Sequence, residues 1–164
     1  MRQQVILQLL PILVLLAIAG VQSFPSNSSA AIKGTRAINS GFKKFHIVTY
    51  DQKNWHDALQ SCHLYGMEFA AIESAQDNFE ALRVIQSAGL SNQKVWTGGN
   101  DLAIEGFFSW VTTGTPFSFQ YWANGQPDNL QDSQHCVYYN HLYGRLWDDE
   151  NCNLKFFFLC EMRY

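Results

Sequence analysis

Charge is scarce in this 164-residue chain. Asp, Glu, Lys and Arg make up 15% of it, and 14 acidic against 11 basic side chains leave a net charge of −3. Soluble domains commonly carry ~25% charged residues. No cluster of Lys and Arg forms the basic face that a nucleic-acid binder needs, which excludes nucleic acid as a partner. Proline and cysteine are few, at four each. Four cysteines are too few for a disulfide-dense mini-scaffold, yet enough to brace a medium-sized core. Neither a coiled-coil heptad nor a collagen repeat occurs. Beyond the first 21 residues, no apolar run approaches the ~20 residues of a membrane span. His46, His56, His63, His135 and His141 lack metal-ligand spacing and read as surface residues. Aromatic residues, in contrast, reach 15% and hydrophobic ones 47%, a composition that excludes a disordered, solvated chain.

The first residues set the compartment. Arg2 precedes an apolar stretch from Val5 to Val21, interrupted by Gln8 and Pro11 and followed by small residues. This is the pattern of a secretory signal peptide over residues 1–23, with cleavage after Ser23 or Ala19. Its removal leaves roughly 140 residues, long enough to bury ~68–70% of the unfolded surface in one domain. Residues 24–40 are Ser-rich and weakly periodic and read as a flexible arm. Asn27-Ser28-Ser29 in that arm is the one N-glycosylation sequon. The expectation is a secreted, extracellular protein whose cysteines are paired.

From residue 41 the chain reads as a domain. Phe42 to Tyr50 suggests a first strand. Asn54, with Asp57 three residues on, caps a helix. Trp55, Ala58, Leu59 and Cys62 lie on one face of it, and Gly66 ends it. Phe69 to Ile72 reads as a short strand. Ser74 and Asp77 open a second helix whose apolar face is read as Phe79, Leu82 and Ile85, with Gly89 as its stop. After residue 90 short apolar pieces alternate with glycine-marked turns: Val95 to Thr97, Phe107 to Trp110, Val137 to Tyr139, Leu146-Trp147 and Phe156 to Leu159. Helices first and strands after predict an α+β fold. Residues 111–135 carry little strand signal, and a loop that long in a compact domain is usually functional.

Cys62, Cys136, Cys152 and Cys160 allow three pairings, and spacing alone does not choose among them. Two polar groups sit inside the C-terminal third that holds the last three cysteines: Gln126-Pro127-Asp128-Asn129, and Trp147-Asp148-Asp149-Glu150 just before Cys152. Gln134 stands two residues before Cys136. Singly, Pro-Asp-Asn is an ordinary turn and an acidic triplet an ordinary solvated surface. Their joint position around the cysteines is what points to a site. A glycosidase with two carboxylates is a poor match: adjacent Asp148 and Asp149 would point to opposite faces of a strand, and no base–nucleophile arrangement accompanies them. The chain does not read as an enzyme.

Over residues 41–164 the sequence resembles the C-type lectins. The likeness rests on Trp55, Ala58 and Cys62 with Gly66 and Ala70, on Trp96-Thr97-Gly98-Gly99, and on Asp101, Glu105-Gly106 and Trp110. It continues through Tyr121-Trp122, Gln126-Pro127-Asp128, Trp147-Asp148-Asp149, Cys152 and Cys160. The resemblance implies the family fold, with two helices packed on antiparallel sheets and a long irregular Ca2+-site loop region. It also implies disulfides Cys62–Cys160 and Cys136–Cys152, a cis bond at Gln126-Pro127, and a carbohydrate-recognition site for glycans or glycoproteins. The candidate Ca2+ ligands are Gln126, Asp128, Gln134, Asp148 and Asp149, the first four also touching sugar. These five side chains and one backbone carbonyl give oxygen ligands of the kind Ca2+ takes, with two positions left for sugar hydroxyls.

The family usually has Glu at Gln134 and Asn at Asp148. The double change keeps three acids at the site, which argues for a retained Ca2+. Gln-Pro-Asp resembles the galactose-type triplet. Gln134 with Asp148 reverses donor and acceptor around the second hydroxyl as well, which predicts relaxed galactose selectivity. Asp101 and Glu105 match an auxiliary Ca2+ site, where Asn129 and His135 replace expected acids. One firm Ca2+ and a weak second are expected. A single shallow site needs multivalency for useful affinity, and a homo-oligomer is one route to it. The rival reading is a lectin-like domain that binds a protein or surface ligand without Ca2+ or sugar.

Overall fold

The computed structural model describes residues 43–164. The signal-peptide reading, the flexible arm and the sequon at Asn27 lie outside the described residues. The elements run β1 (Lys43–Lys53), α1 (Trp55–Leu64), β2 (Glu68–Phe69), α2 (Ala75–Ser87), β3 (Val95–Asn100), β4 (Ser109–Trp110), β5 (Cys136–Asn140), β6 (Leu146–Glu150) and β7 (Phe156–Arg163). Among the described residues they form one sheet in the order β1-β7-β3-β5-β6, with β2 added to β7 and β4 to β3. Neighbours are antiparallel except β3 and β7, which run parallel. The expected antiparallel sheets are thus a single mixed sheet, because β3 enters beside the C-terminal strand after the helical crossover.

Both helix starts follow their caps. The Asn54 and Ser74 side chains accept hydrogen bonds from the backbone N–H groups of Asp57 and Asp77, satisfying donors that a helix start leaves orphaned. α1 buries Trp55, Ala58 and Cys62, as its pattern requires. α2 buries only part of the expected face: Ile85 is inside and Leu82 packs partly buried against the core, but Phe79 does not. Phe79 is 61% exposed, while Asn78, Ala81 and Ile85 are buried. Residues at i, i+3 and i+7 stay on one line of a helix, whereas i, i+3 and i+6 drift by about 120° around it. The first set is therefore buried together, while the second turns Phe79 out to solvent. Asn78 belongs inside because its Oδ1 accepts the buried Tyr139 hydroxyl at 2.8 Å.

The core has two parts on either side of the sheet's centre. One gathers Ile72, Ile85, Val95, Trp110, Tyr139 and Trp147. The other gathers Trp55, Phe69, Trp96, Tyr138, Phe158 and all four cysteines. The cysteines pair as Cys62–Cys160 and Cys136–Cys152. The first ties α1 to β7, and the second joins the start of β5 to the chain just after β6. Gly99 is required by a close approach: a Cβ there would lie 2.6 Å from Phe117 Cζ and 3.0 Å from Val137 Cβ. Phe117 thereby seats its ring on Trp110, with centroids 4.1 Å apart, and anchors the long 111–135 segment to the core.

Candidate functional site

The long segment is irregular as expected, with one short 3-10 turn, Leu130–Asp132. Its anchor is Trp147, fully buried in β6. The Trp147 N–H donates to the Tyr121 carbonyl, and the Ala123 N–H donates to the Trp147 carbonyl, both at 2.8 Å. Gln126 N–H then closes a turn onto the Ala123 carbonyl at 3.0 Å, and the Gln126-Pro127 bond is cis.

Asp149 holds the next stretch. Its two carboxylate oxygens accept the backbone N–H groups of Asp128 and Asn129 at 3.1 and 2.9 Å. The side chain is almost fully buried, and burial raises its pKa against the pull of those two N–H donors. A buried carboxylate left so short of cationic partners is a strong place for a positive charge. Asn129 sits in the left-handed region at φ 41°, and its Oδ1 accepts the Gln134 N–H at 3.0 Å. Gln134 Oε1 in turn accepts the Leu130 N–H at 2.7 Å.

The ligand set read from the sequence leaves out Glu150, and Tyr138 and Asn140 carry no sequence motif of a site. Gln134 Nε2 donates to Glu150 Oε1 at 3.1 Å, and Lys94 pairs with Glu150 at 3.2 Å. Burial works against the Glu150 charge. The Asn151 N–H, the Gln134 amide and Lys94 together still hold its carboxyl below the usual range. Asp148 faces the other way from Asp149. Its carboxylate accepts the Tyr138 hydroxyl at 2.9 Å and the Asn140 amide at 2.8 Å. Strand alternation was the available signal: Asp148 and Glu150 share one face of β6, and Tyr138 and Asn140 share one face of β5.

The backbone of the cis-proline turn that carries Gln126 and Asp128 therefore docks on β6 through Trp147 and Asp149. Gln134 closes the far side of the loop, and Asp148 stands behind it in a tyrosine–amide network. Gln126 Oε1 is buried and has no hydrogen-bond partner. Buried acceptors are almost always satisfied. This orphaned oxygen lies on the turn whose next residues, Asp128 and Asn129, are pinned by Asp149; an amide oxygen together with carboxylates is the donor type that suits a hard cation such as Ca2+.

A second group lies next to this loop. His135 Nδ1 is 3.1 Å from Asp101 Oδ1 and 3.2 Å from Glu105 Oε2. His135 is thus not the free surface residue its spacing suggested. It occupies the mouth of the Asp101–Glu105 pair, where the auxiliary cation was expected. Asp101 is buried, and its Oδ2 accepts the Gly106 N–H at 2.8 Å.

The family model for the lectin C-type domain matches residues 51–162. Lectin subunit alpha of Sarcophaga peregrina is 32% identical over 142 residues, which is 82% of this chain and 49% of that protein. Human CD209 antigen is 35% identical over 120 residues, 71% of this chain and 28% of that protein. The chain thus spans about half or less of these relatives. The crystal structure of C-type lectin CEL-I from Cucumaria echinata superposes with a TM-score of 0.67 at 22% identity, covering 74% of this chain and 90% of that one.

Proposed function

The chain belongs to the C-type lectin family, and from that premise we propose that it is a Ca2+-dependent, galactose-type carbohydrate-binding lectin with relaxed selectivity. Its relatives include proteins named as lectins, and none of those compared above is named as an enzyme. The observation that carries the Ca2+ reading is the buried, unpartnered Gln126 Oε1 on the loop that Asp149 pins. Gln126, Asp128 and Asp149, with Gln134 and Asp148, are the residues that would hold the ion. Ca2+, when bound, offers open positions to two neighbouring sugar hydroxyls.

The protein's own groups do the rest. Asp149 fixes the Asp128 and Asn129 backbone, so the loop is ordered before a ligand arrives and loses little entropy on binding. The Gln126 amide donates to a hydroxyl oxygen and the Asp128 carboxylate accepts a hydroxyl proton, a donor–acceptor pair matched to one alcohol group. Gln134 and Asp148 would supply a second amide and acid of the same type once released from Glu150 and from Tyr138 and Asn140. Two such pairs of like polarity reduce discrimination between galactose and other vicinal diols. Two disulfides fit an oxidising, extracellular compartment, which supports secretion.

The rival reading, a lectin-like binder of a protein without Ca2+ or sugar, draws on Gln134 and Asp148. Both already spend polar atoms on Leu130, Glu150, Tyr138 and Asn140. A glycan array run with Ca2+ and with EDTA decides between them, together with Ca2+ calorimetry. EDTA-sensitive binding that includes galactose and at least one mannose- or fucose-type glycan is expected. Strict galactose binding would overturn the relaxed selectivity. No Ca2+ heat and no glycan signal would favour the protein binder.

A further inference from the structure

Beside the Gln126-Pro127-Asp128 turn lies a half-open cleft of about 320 Å³. Its walls include Phe107, Pro116, Phe117, Trp122 and Pro127; Gln120 contributes the one side-chain amide, and no lining residue carries a charge. Pro127 is shared: it lines the cleft and stands between the two residues proposed to meet the sugar. The floor is rigid. Phe117 stacks on Trp110 at 4.1 Å, and Trp122 meets Phe108 edge-on at 4.8 Å and Trp147 edge-on at 5.8 Å. The rim carries Phe107, 53% exposed, with Leu102 and Ile104 exposed on the same loop. Exposed apolar side chains scattered singly mean little, but Phe107 lines one cleft with Pro116, Phe117, Trp122 and Pro127, and such a grouping marks a binding surface.

The cleft's volume is at the low end for a small-molecule pocket, so its occupant is a single slim group and not a folded partner. A carboxylate or phosphate would be desolvated there without a counter-charge. A second sugar unit would need several hydroxyl partners, and the only side-chain polar groups of the lining are the Gln120 amide and the Trp122 indole N–H. Building on the sugar reading above, we propose that the preferred ligands are amphipathic glycoconjugates of the glycolipid type. The terminal sugar engages Gln126 and Asp128 while an alkyl or acyl chain lies in the Phe107–Phe117–Trp122 cleft.

The test is calorimetry in Ca2+ with methyl and octyl β-galactopyranoside, and the same pair of α-mannopyranosides, all below the micelle-forming concentration. Each fully buried methylene is worth up to about fourfold in affinity. In a half-open cleft the octyl glycoside is therefore expected to bind at least about tenfold tighter than its methyl partner. Phe107→Ser alters an exposed rim residue, so folding is retained. It is expected to lower octyl affinity several-fold and leave methyl affinity unchanged. Equal affinity of octyl and methyl glycosides, both abolished by EDTA, overturns the proposal and leaves the sugar reading standing. So does an octyl advantage that Phe107→Ser does not reduce, or a methyl lactoside that gains as much as the octyl glycoside in a Phe107-dependent way. Absence of binding by every glycoside overturns the sugar reading, and this proposal with it.

Discussion

Asp149 does two jobs with one carboxylate, and they separate by substitution. Its oxygens accept the Asp128 and Asn129 N–H groups, and its charge is held in a buried place that burial alone disfavours. Asp149→Asn keeps an acceptor for the loop but removes the charge. Because Ca2+ sites tune affinity over many orders of magnitude through ligand charge, this variant is expected to lose about two orders of magnitude in Ca2+ affinity. Its near-ultraviolet circular dichroism should stay native. Calorimetry checks the first and the spectrum the second, and undiminished Ca2+ affinity would remove Asp149 from the ligand set. The sequence made Gln126, Asp128, Gln134, Asp148 and Asp149 legible through motif positions, and their roles rest on that resemblance. Where each polar atom goes was not legible. Whether Gln134 meets an ion or Glu150, and whether His135 floats or seals Asp101 and Glu105, depends on contacts across 16 and 34 residues. Local patterning carries no such information.

At the scale of elements, most of what was readable came from backbone chemistry. Asn54 and Ser74 marked their helix starts because cap side chains must lie within reach of the first turn. β1, β3, β5 and β7 announced themselves by apolar content. The orientation of α2 was misread because hydrophobicity was taken to define the buried face, while the actual face includes a buried amide. Asn78→Ala would strand the fully buried Tyr139 hydroxyl, at about 1–3 kcal/mol. Combining it with Tyr139→Phe removes both partners and should recover part of that loss. Phe79→Ser, on the exposed side, should stay within about 0.5 kcal/mol of wild type. Urea midpoints for the three variants test this; a larger loss from Phe79→Ser than from Asn78→Ala would restore the pattern-based face. β2 and β4, two residues each, illustrate a different limit. They are strands only because β7 and β3 run alongside.

Over the whole molecule, long-range ties decide stability, and they divide by type. Where β1, α2 and β7 converge, Lys43 pairs with Glu73 and Asp77, and Arg163 pairs with Glu73 and Glu161. Burial opposes the Glu73 charge, but Lys43 and Arg163 outweigh it and hold the carboxyl below its ordinary value. A lowered folded-state pKa contributes stability above the unfolded value and loses it as pH falls through the folded one. Glu73→Gln should therefore be less stable than wild type at pH 7, by at most about 1 kcal/mol given the partial exposure. The gap should narrow as pH falls below the ordinary carboxylate range and through the lowered folded value, as urea midpoints across an acid pH series would show; a gap that stays constant throughout would mean packing, not charge, is responsible. The disulfides work through the unfolded chain instead. Cys62–Cys160 spans 98 residues and Cys136–Cys152 spans 16. Loop-closure entropy assigns them about 4.7 and 3 kcal/mol at most. The short bridge, however, sits at the base of the candidate site: Cys136 follows Gln134 and His135, and Cys152 follows Asp149 and Glu150. Stability and function should therefore separate. The paired Cys62→Ala and Cys160→Ala variant is expected to lose about 1–2 kcal/mol more stability than the Cys136→Ala and Cys152→Ala variant. The second variant should show the larger fall in Ca2+ affinity, because β5 and β6 are freed to part where Gln134 meets Glu150. Urea unfolding and Ca2+ calorimetry on both variants provide the comparison. If the long-bridge variant loses more of both quantities, the short bridge has no special part in holding the site.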